Sequence, residues 1–440
     1  MLQTFKNAWK VQDLRKKILF TLMIILLYRI GANLFVPYVD VDQAKFAMET
    51  YSQGMLGVVS LMSGSAFSQA TFFALSVSPY ITASIVMQLL TIAIPPLERL
   101  SKDEDGKKKI SAATRWVTIG LALITAFGYV SLLNNQGALN IPKDVNPAFA
   151  WIVMIACYCA GASLIMWLAE KINDHGIGNG ISMILFANII SGFTGTVYGM
   201  FGMIYSPTAG WMTGWNLVGG IAGILLSIAL TLGAIILIVW FTNSERRIKV
   251  IYAKKVVGRK MYGGQKTNLP LKMNMAGVMP VIFASSIVSI PMTIAAFFQG
   301  SGFYNFVNSY LSATSPIYII LFIALIFAFS YFYIAISFNP VEVANNIRNN
   351  GGAIIGIRPQ EMAPFIKKIL NRVTLMGAVF LVIISGVPMI VSAVTALFHI
   401  SFPSLAFAGT SLLIVVGVAL ETVRDLEAQL SMRNYKGFLD

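Results

Sequence analysis

LVGGIAGILLSIALTLGAIILIVWFT, from Leu217 to Thr242, runs directly into NSERRIKVIYAKKVVGRKMYGGQKTNLPLKMNM, from Asn243 to Met275. The first stretch carries no charge and is longer than the ~20 residues a helix needs to cross ~30 Å of hydrocarbon. The second holds nine Lys and Arg residues. An apolar run that ends in a cluster of cations marks a membrane span leaving on the cytoplasmic side, because basic loops are retained there.

The pattern repeats along the chain. Further apolar stretches run from Ile18 to Val36, Phe72 to Ile94, Ala112 to Leu133, Ala148 to Ala169, Ile181 to Tyr205, Gly277 to Phe298, Ile317 to Phe338, Thr374 to Leu397 and Leu405 to Val423. With the opening stretch these make ten. Of 32 Lys and Arg residues, 29 fall before the first span, after the even-numbered ones, or at the edge of the third, at Arg115. Lys45 and Lys143 lie in odd-numbered connections, and Arg29 lies well inside a span. This alternation predicts ten spans with both termini cytoplasmic. No cleavable signal peptide is expected, since no small-residue cleavage pattern follows the first stretch.

Composition agrees. A chain of 440 residues that is 57% hydrophobic and 11% charged, with mean hydropathy +0.74, is excluded from the ordinary soluble globular class. The net charge of +14 follows from its sidedness and from contact with anionic lipid, so it does not by itself call for nucleic acid. Cys157 and Cys159 are two apart on an expected helix, where side chains diverge, and read as packing residues.

Ten spans divide into residues 1–205 (spans 1–5) and 206–440 (spans 6–10, cytoplasmic loops 243–275 and 339–373, tail 424–440). Because five is odd, a repeated five-helix unit would be inverted in the second half, and inverted repeats place a pathway between the halves. One segment breaks the pattern. GMLGVVSLMSGSAFSQAT, from Gly54 to Thr71, is too short and too polar to span, and reads either as a half-helix lining a cavity or as an interfacial loop.

The chemistry that is missing narrows the function. Coupled carriers hold Asp, Glu or His inside the membrane, whereas here Glu170 and Glu421 lie at helix ends and Arg29 is the one clear intramembrane charge. Arg29 can snorkel, pair with a helix-end carbonyl, or face a neighbouring helix. No phosphate-binding loop, zinc motif or nucleophile elbow is present, and with only His175 and His399 a histidine-based centre is not expected. The chain reads as a non-enzyme without cofactor or metal, either a passive conduit or a machine driven by something bound to it. An ion-coupled secondary transporter and a lipid-acting membrane enzyme are the competing classes.

Several motifs are more specific. HGIGNGIS (His175 to Ser182) packs glycines into the turn before span five, and LPLKMNMAGVMPVIFASSI (Leu269 to Ile287) places Pro280 early in span seven, which favours a helix able to bend. With SPYITASIVMQLL (Ser78 to Leu90), GIRPQEMAPF (Gly356 to Phe365) and GTSLLIVV (Gly409 to Val416), these resemble the SecY family of bacterial protein-translocation channels, in family order and over essentially the whole chain.

The resemblance implies an all-α membrane protein whose two five-helix halves clasp an hourglass pore. The pore would close on an aliphatic ring of Val77, Ile81, Ile181, Leu185, Ile282 and Ile414. The segment from Gly54 to Thr71 would be the plug, with Gly57, Leu61, Gly64 and Phe67 along it. A lateral gate would part spans two and three from spans seven and eight near Thr82, Gln88 and Ile290. Arg246, Arg247, Lys249, Lys254, Lys255, Arg259, Lys260 and Arg358 would receive the ribosome or the SecA motor. SecE and SecG subunits, signal sequences, nascent polypeptides and anionic lipids are the further partners implied, at the bacterial plasma membrane. Ser76 and Ser78 stand where the family usually has Gly and Met, Gln69 replaces a common basic plug residue and His175 a common Arg.

Overall fold

The computed structural model describes residues 2–45, 63–202, 205–206, 210–211, 215–252, 255–257, 260–262, 266–298, 300–311, 315–397 and 405–436. The helices are α1 (Leu2–Lys10), α2 (Gln12–Gly31), α3 (Ser78–Ala93), α4 (Pro95–Lys102), α5 (Glu104–Asn135), α6 (Pro147–His175), α7 (Gly180–Gly202), α8 (Trp215–Asn243), α9 (Met279–Phe297), α10 (Gly302–Tyr310), α11 (Pro316–Ser337), α12 (Pro340–Asn349), α13 (Met362–Leu397) and α14 (Leu405–Lys436). Each of the ten apolar stretches falls on one of them. Among the described residues, four helical runs are long and apolar enough to cross a membrane by length and composition alone: Glu104–Asn135, Pro147–His175, Pro316–Asn349 and Met362–Ile390. The bent pair Ser78–Ala93 and Pro95–Ser101 adds a fifth if it is one span. Large apolar side chains on these helices face outward, Ile236 at 68% exposure and Ile320 at 67% among them, as lipid-facing residues must.

Boundaries differ from the sequence reading where proline and loop chemistry intervene. The second span does not start at Phe72: residues 67–77 turn without helix, Ala70 and Ser76 have φ of 50° and 51°, and helix begins at Ser78 with proline in its first turn. It ends against Pro95, where the chain bends by 110° into α4. Pro280 also lies in a first turn, where its missing N–H costs nothing, so it starts α9 and does not bend it; the interior proline is Pro291. Helix α13 begins well before the apolar stretch it carries, and α14 runs well past its own.

A buried core runs through both halves of the sequence, from Ile24 and Tyr28 on α2 to Ile414 and Val418 on α14. Among the described residues, the halves of the sequence meet where α9 packs against α3 and α5, and where α14 packs against α7 and α1. Cys157 and Cys159 are free and half-buried against this core.

The two long basic loops form one sheet. Strands β1 (Tyr205–Ser206) and β2 (Gly210–Trp211) pair with each other, whereas β3 (Glu245–Tyr252) is the centre of an antiparallel sheet of order β6-β3-β7 with β6 (Lys266–Lys272) and β7 (Gly352–Ile354). β4 (Lys255–Val257) and β5 (Lys260–Tyr262) form the hairpin between them. Register pairs Val250 with Ile354, so the loop after α8 and the loop after α11 share a ladder. Beneath it lies a separate apolar core of Ile248, Val250, Leu271, Ala344, Ile347, Ile354, Met362 and Ile366.

Candidate functional site

Four helices bring the six aliphatic candidates into one buried cluster. Val77 caps α3 and Ile81 lies one turn on; Ile181 and Leu185 occupy the start of α7; Ile282 and Ile414 come from α9 and α14. Val77, Ile81, Leu185 and Ile282 are at most 2% exposed, Ile414 is 7% exposed, and Ile181 is half-buried against the same core. All six are hydrocarbon side chains that offer no hydrogen bonds, and a constriction built from such groups resists wetting.

The turn HGIGNGIS places two of them. Gly178 has φ +76°, and a Cβ on Gly180 would lie 2.0 Å from the Ala169 carbonyl, so neither position tolerates a side chain. Asn173 Oδ1 accepts from the Gly180 N–H at 2.7 Å, and Asn179 Oδ1 accepts from the Ile181 N–H at 3.1 Å, capping α7 where Ile181 leaves it.

Of the plug candidates, Gly57 and Leu61 lie outside the described residues. Gly64 begins a single 3₁₀ turn, Gly64–Ala66, at φ +63°. Phe67 is buried; its ring lies 4.8 Å from Tyr129, whose hydroxyl donates to the Phe67 carbonyl at 2.5 Å. Tyr158 donates likewise to the Ala70 carbonyl at 3.2 Å. Hydroxyls from α5 and α6 therefore satisfy the backbone of a non-helical segment in an apolar interior, which otherwise would be costly. Gln69 is half-buried and His175 exposed.

At the α3–α9 seam, Thr82 is half-buried and Ile290 is 36% exposed. Gln88 Nε2 donates to Ser84 Oγ at 3.2 Å, one turn earlier on its own helix, so this bond does not cross the seam. Residues four apart share a helix face, and the amide finds its partner there first. Arg29 resolves in favour of a neighbouring helix: its guanidinium donates to Ser191 Oγ on α7.

The described basic candidates lie on β3, on the β4–β5 hairpin and just beyond β7. Arg246, Arg247 and Lys249 are exposed on β3, with Arg247 paired to Glu245. Lys255 and Lys260 are on the β4 and β5 strands, and Lys254 and Arg259 fall outside the described residues. Arg358 is exposed just beyond β7, after a turn at Gly356. Sequence reasoning treated the two loops separately and missed the ladder that joins them; alternation at Ile248 and Val250, and at Leu269 and Leu271, is the signal that could have shown it. It also missed a cavity of about 240 Å³ between the end of α8 and the middle of α14, lined by Lys272, Asn274, Val278, Tyr333, Glu421 and Arg424. Burial, then the neighbouring Arg424, hold the Lys272 ammonium below the usual lysine range.

The sequence profile of the SecY family matches residues 71–423. The chain belongs to the SecY family. Relatives include the protein translocase subunits SecY of Streptomyces galbus, 42% identical, and of Thermus thermophilus, 39% identical; both alignments cover all of this chain, with 100% and 98% of the relatives. Its fold is that of a solved protein-conducting channel, TM-score 0.61 at 16% identity over 94% of this chain and 92% of the other. It also matches Sec61 in a canine ribosome–channel complex, TM-score 0.58 at 15% identity over the same shares. SecY membership makes this a multi-pass membrane protein. It leaves the ion-coupled transporter reading without support.

Proposed function

We propose that this chain is the pore-forming subunit of a protein-conducting channel, passing unfolded secretory polypeptides across the bacterial plasma membrane and releasing apolar segments sideways into lipid. The observation that carries this reading is a sequence that is SecY-like from end to end, and the burial of the six aliphatic candidates in the one core that runs through both halves supports it. Residues 1–205 and 206–440 act as the two halves. Ten spans, with both ends cytoplasmic, follow from the charge alternation and the ten apolar stretches.

Val77, Ile81, Ile181, Leu185, Ile282 and Ile414 form the closed constriction, and the segment through Gly57, Leu61, Gly64 and Phe67 stops its external side. Opening separates α3 and α5 from α9 and α11, past Thr82, Gln88 and Ile290. The two basic loops, through Arg246, Arg247, Lys249, Lys254, Lys255, Arg259, Lys260 and Arg358, receive the ribosome or the SecA motor; a relative of this fold is itself seen on a ribosome. Contacts to ribosomal phosphates would be salt-sensitive. SecE and SecG complete the complex, and the basic arm with Lys6, Lys10, Lys16 and Lys17 meets anionic lipid.

Reconstitution tests this. With its small subunits, the motor and ATP, the chain in proteoliposomes should render a secretory precursor protease-resistant inside the vesicles. A precursor that stays fully digestible in vesicles that hold assembled complex would sink the proposal.

A further inference from the structure

Between the constriction and the plug segment lies a polar cluster that neither needs. Tyr28 on α2, Asn188 on α7 and Ser76 in the turn before α3 are 0%, 0% and 2% exposed. Tyr28 Oη donates to Asn188 Oδ1 at 2.8 Å, and Asn188 Nδ2 donates to Ser76 Oγ at 3.3 Å. Ser76 is also a hydrogen-bond partner of the Tyr28 hydroxyl, so three elements close a small polar ring. Asn188 lies one turn after Leu185, and Ser76 immediately precedes Val77, so the cluster is attached to the constriction on both sides.

Two features tie it to the closed arrangement. Ser76 holds φ +51°, a left-handed conformation costly for a residue with a Cβ, and such strain persists only where the surroundings enforce it. The same turn is held by the Tyr28 ring, stacked on Phe73 at 5.3 Å and 4°. On the plug side, a Cβ on Gly64 would meet the Asn188 carbonyl at 3.2 Å and Ser191 Oγ at 3.6 Å, and Ser191 is the residue that takes the Arg29 hydrogen bond.

We propose that Tyr28, Asn188 and Ser76 are positioning residues that form a polar clasp, holding the turn that carries Val77 and the end of the plug segment against α7 and so setting how readily the channel opens. While the interior is dry, all three groups need one another, because a buried polar group without a partner is costly. When the turn leaves α7 and water enters, water replaces each partner. The clasp therefore weights the closed state by a net hydrogen bond or two, strong enough to seal and weak enough to release.

This rests on the channel reading, and the experiment separates the two. The assembled complex in liposomes is compared with its Tyr28→Phe, Asn188→Leu, Ser76→Ala and Ser76→Gly variants. The readouts are ion leak without substrate, transport of a precursor with a weakened signal sequence, transport of an ordinary precursor, and thermal stability. Tyr28→Phe and Asn188→Leu should each raise resting leak about five-fold or more, the ratio set by one net hydrogen bond. They should also raise transport of the weakened-signal precursor, with ordinary transport and assembly retained. Ser76→Gly, although it relieves the left-handed strain, should leak as Ser76→Ala does. Unchanged leak in Tyr28→Phe and Asn188→Leu overturns the clasp. So does a tighter seal in Ser76→Gly, which would make backbone strain alone the cause, or parallel loss of assembly and transport in all variants, which would make the cluster a folding element. If the unaltered complex moves no precursor, the channel reading itself fails, whatever the leak ratios.

Discussion

Ile354→Ala tests whether the two basic loops work as one body. Ile354 is 4% exposed, pairs in register with Val250, and packs with Ile248, Leu271 and Ile366 in a core made by the β6-β3-β7 sheet with α12 and the start of α13. Cutting a buried isoleucine to alanine costs about 2–5 kcal/mol where the site cannot collapse, and a three-stranded sheet over a small core has little to collapse with. The lower figure already makes local opening about 30-fold more frequent, at about 1.4 kcal/mol per tenfold. Hydrogen exchange of the amides along β3 and β7 should therefore accelerate by at least that factor. Amides in α6, Pro147–His175, should keep their protection, because that helix belongs to the other core. Binding of the motor should weaken in parallel although no cation has been removed. If Val250 and its neighbours on β3 exchange as before while β7 alone loosens, the loops are independent and the single-surface argument is wrong.

Two further outcomes follow from the charges. Arg358→Glu should impair motor-driven transport several-fold while the complex assembles normally, since Arg358 is exposed beyond β7 and its side chain bears no part of the underlying core; equal loss of assembly and transport in paired pull-down and secretion assays would assign it a folding role. The Arg115–Glu170 pair, 2.8 Å apart with Arg115 half in solvent, should show a coupling below about 1 kcal/mol in a double-mutant cycle of thermal unfolding, because exposed ion pairs are screened.

How much of this was legible in the sequence depends on how local the determining interaction is. Spans were legible because a helix satisfies its own backbone, so apolar length and flanking Lys and Arg suffice; Leu217–Thr242 differs from helix α8 by two residues at its start and one at its end. The start of α3 was not, because Phe72 to Val77 are apolar but for Ser76 and yet turn, in a segment held at Phe67, Ala70 and Ser76 by Tyr129, Tyr158 and Asn188 from distant parts of the chain. The β3–β7 ladder joins residues about a hundred positions apart, and pairing at that separation leaves no local mark beyond alternation. Gln88 shows how local a polar partner can be: its amide N–H donates to Ser84, one turn earlier on the same helix. The constriction was selected by resemblance alone, since in composition its residues are ordinary core.

The most direct test of the central claim is site-specific photo-crosslinking from Ile81 and Ile282, on helices from opposite halves, to a secretory chain stalled in transit. Both positions should crosslink to the same translocating segment, and only while a chain is engaged, whereas lipid-facing Ile236 should not. An active complex in which neither Ile81 nor Ile282 touches the chain would contradict a pathway between the halves.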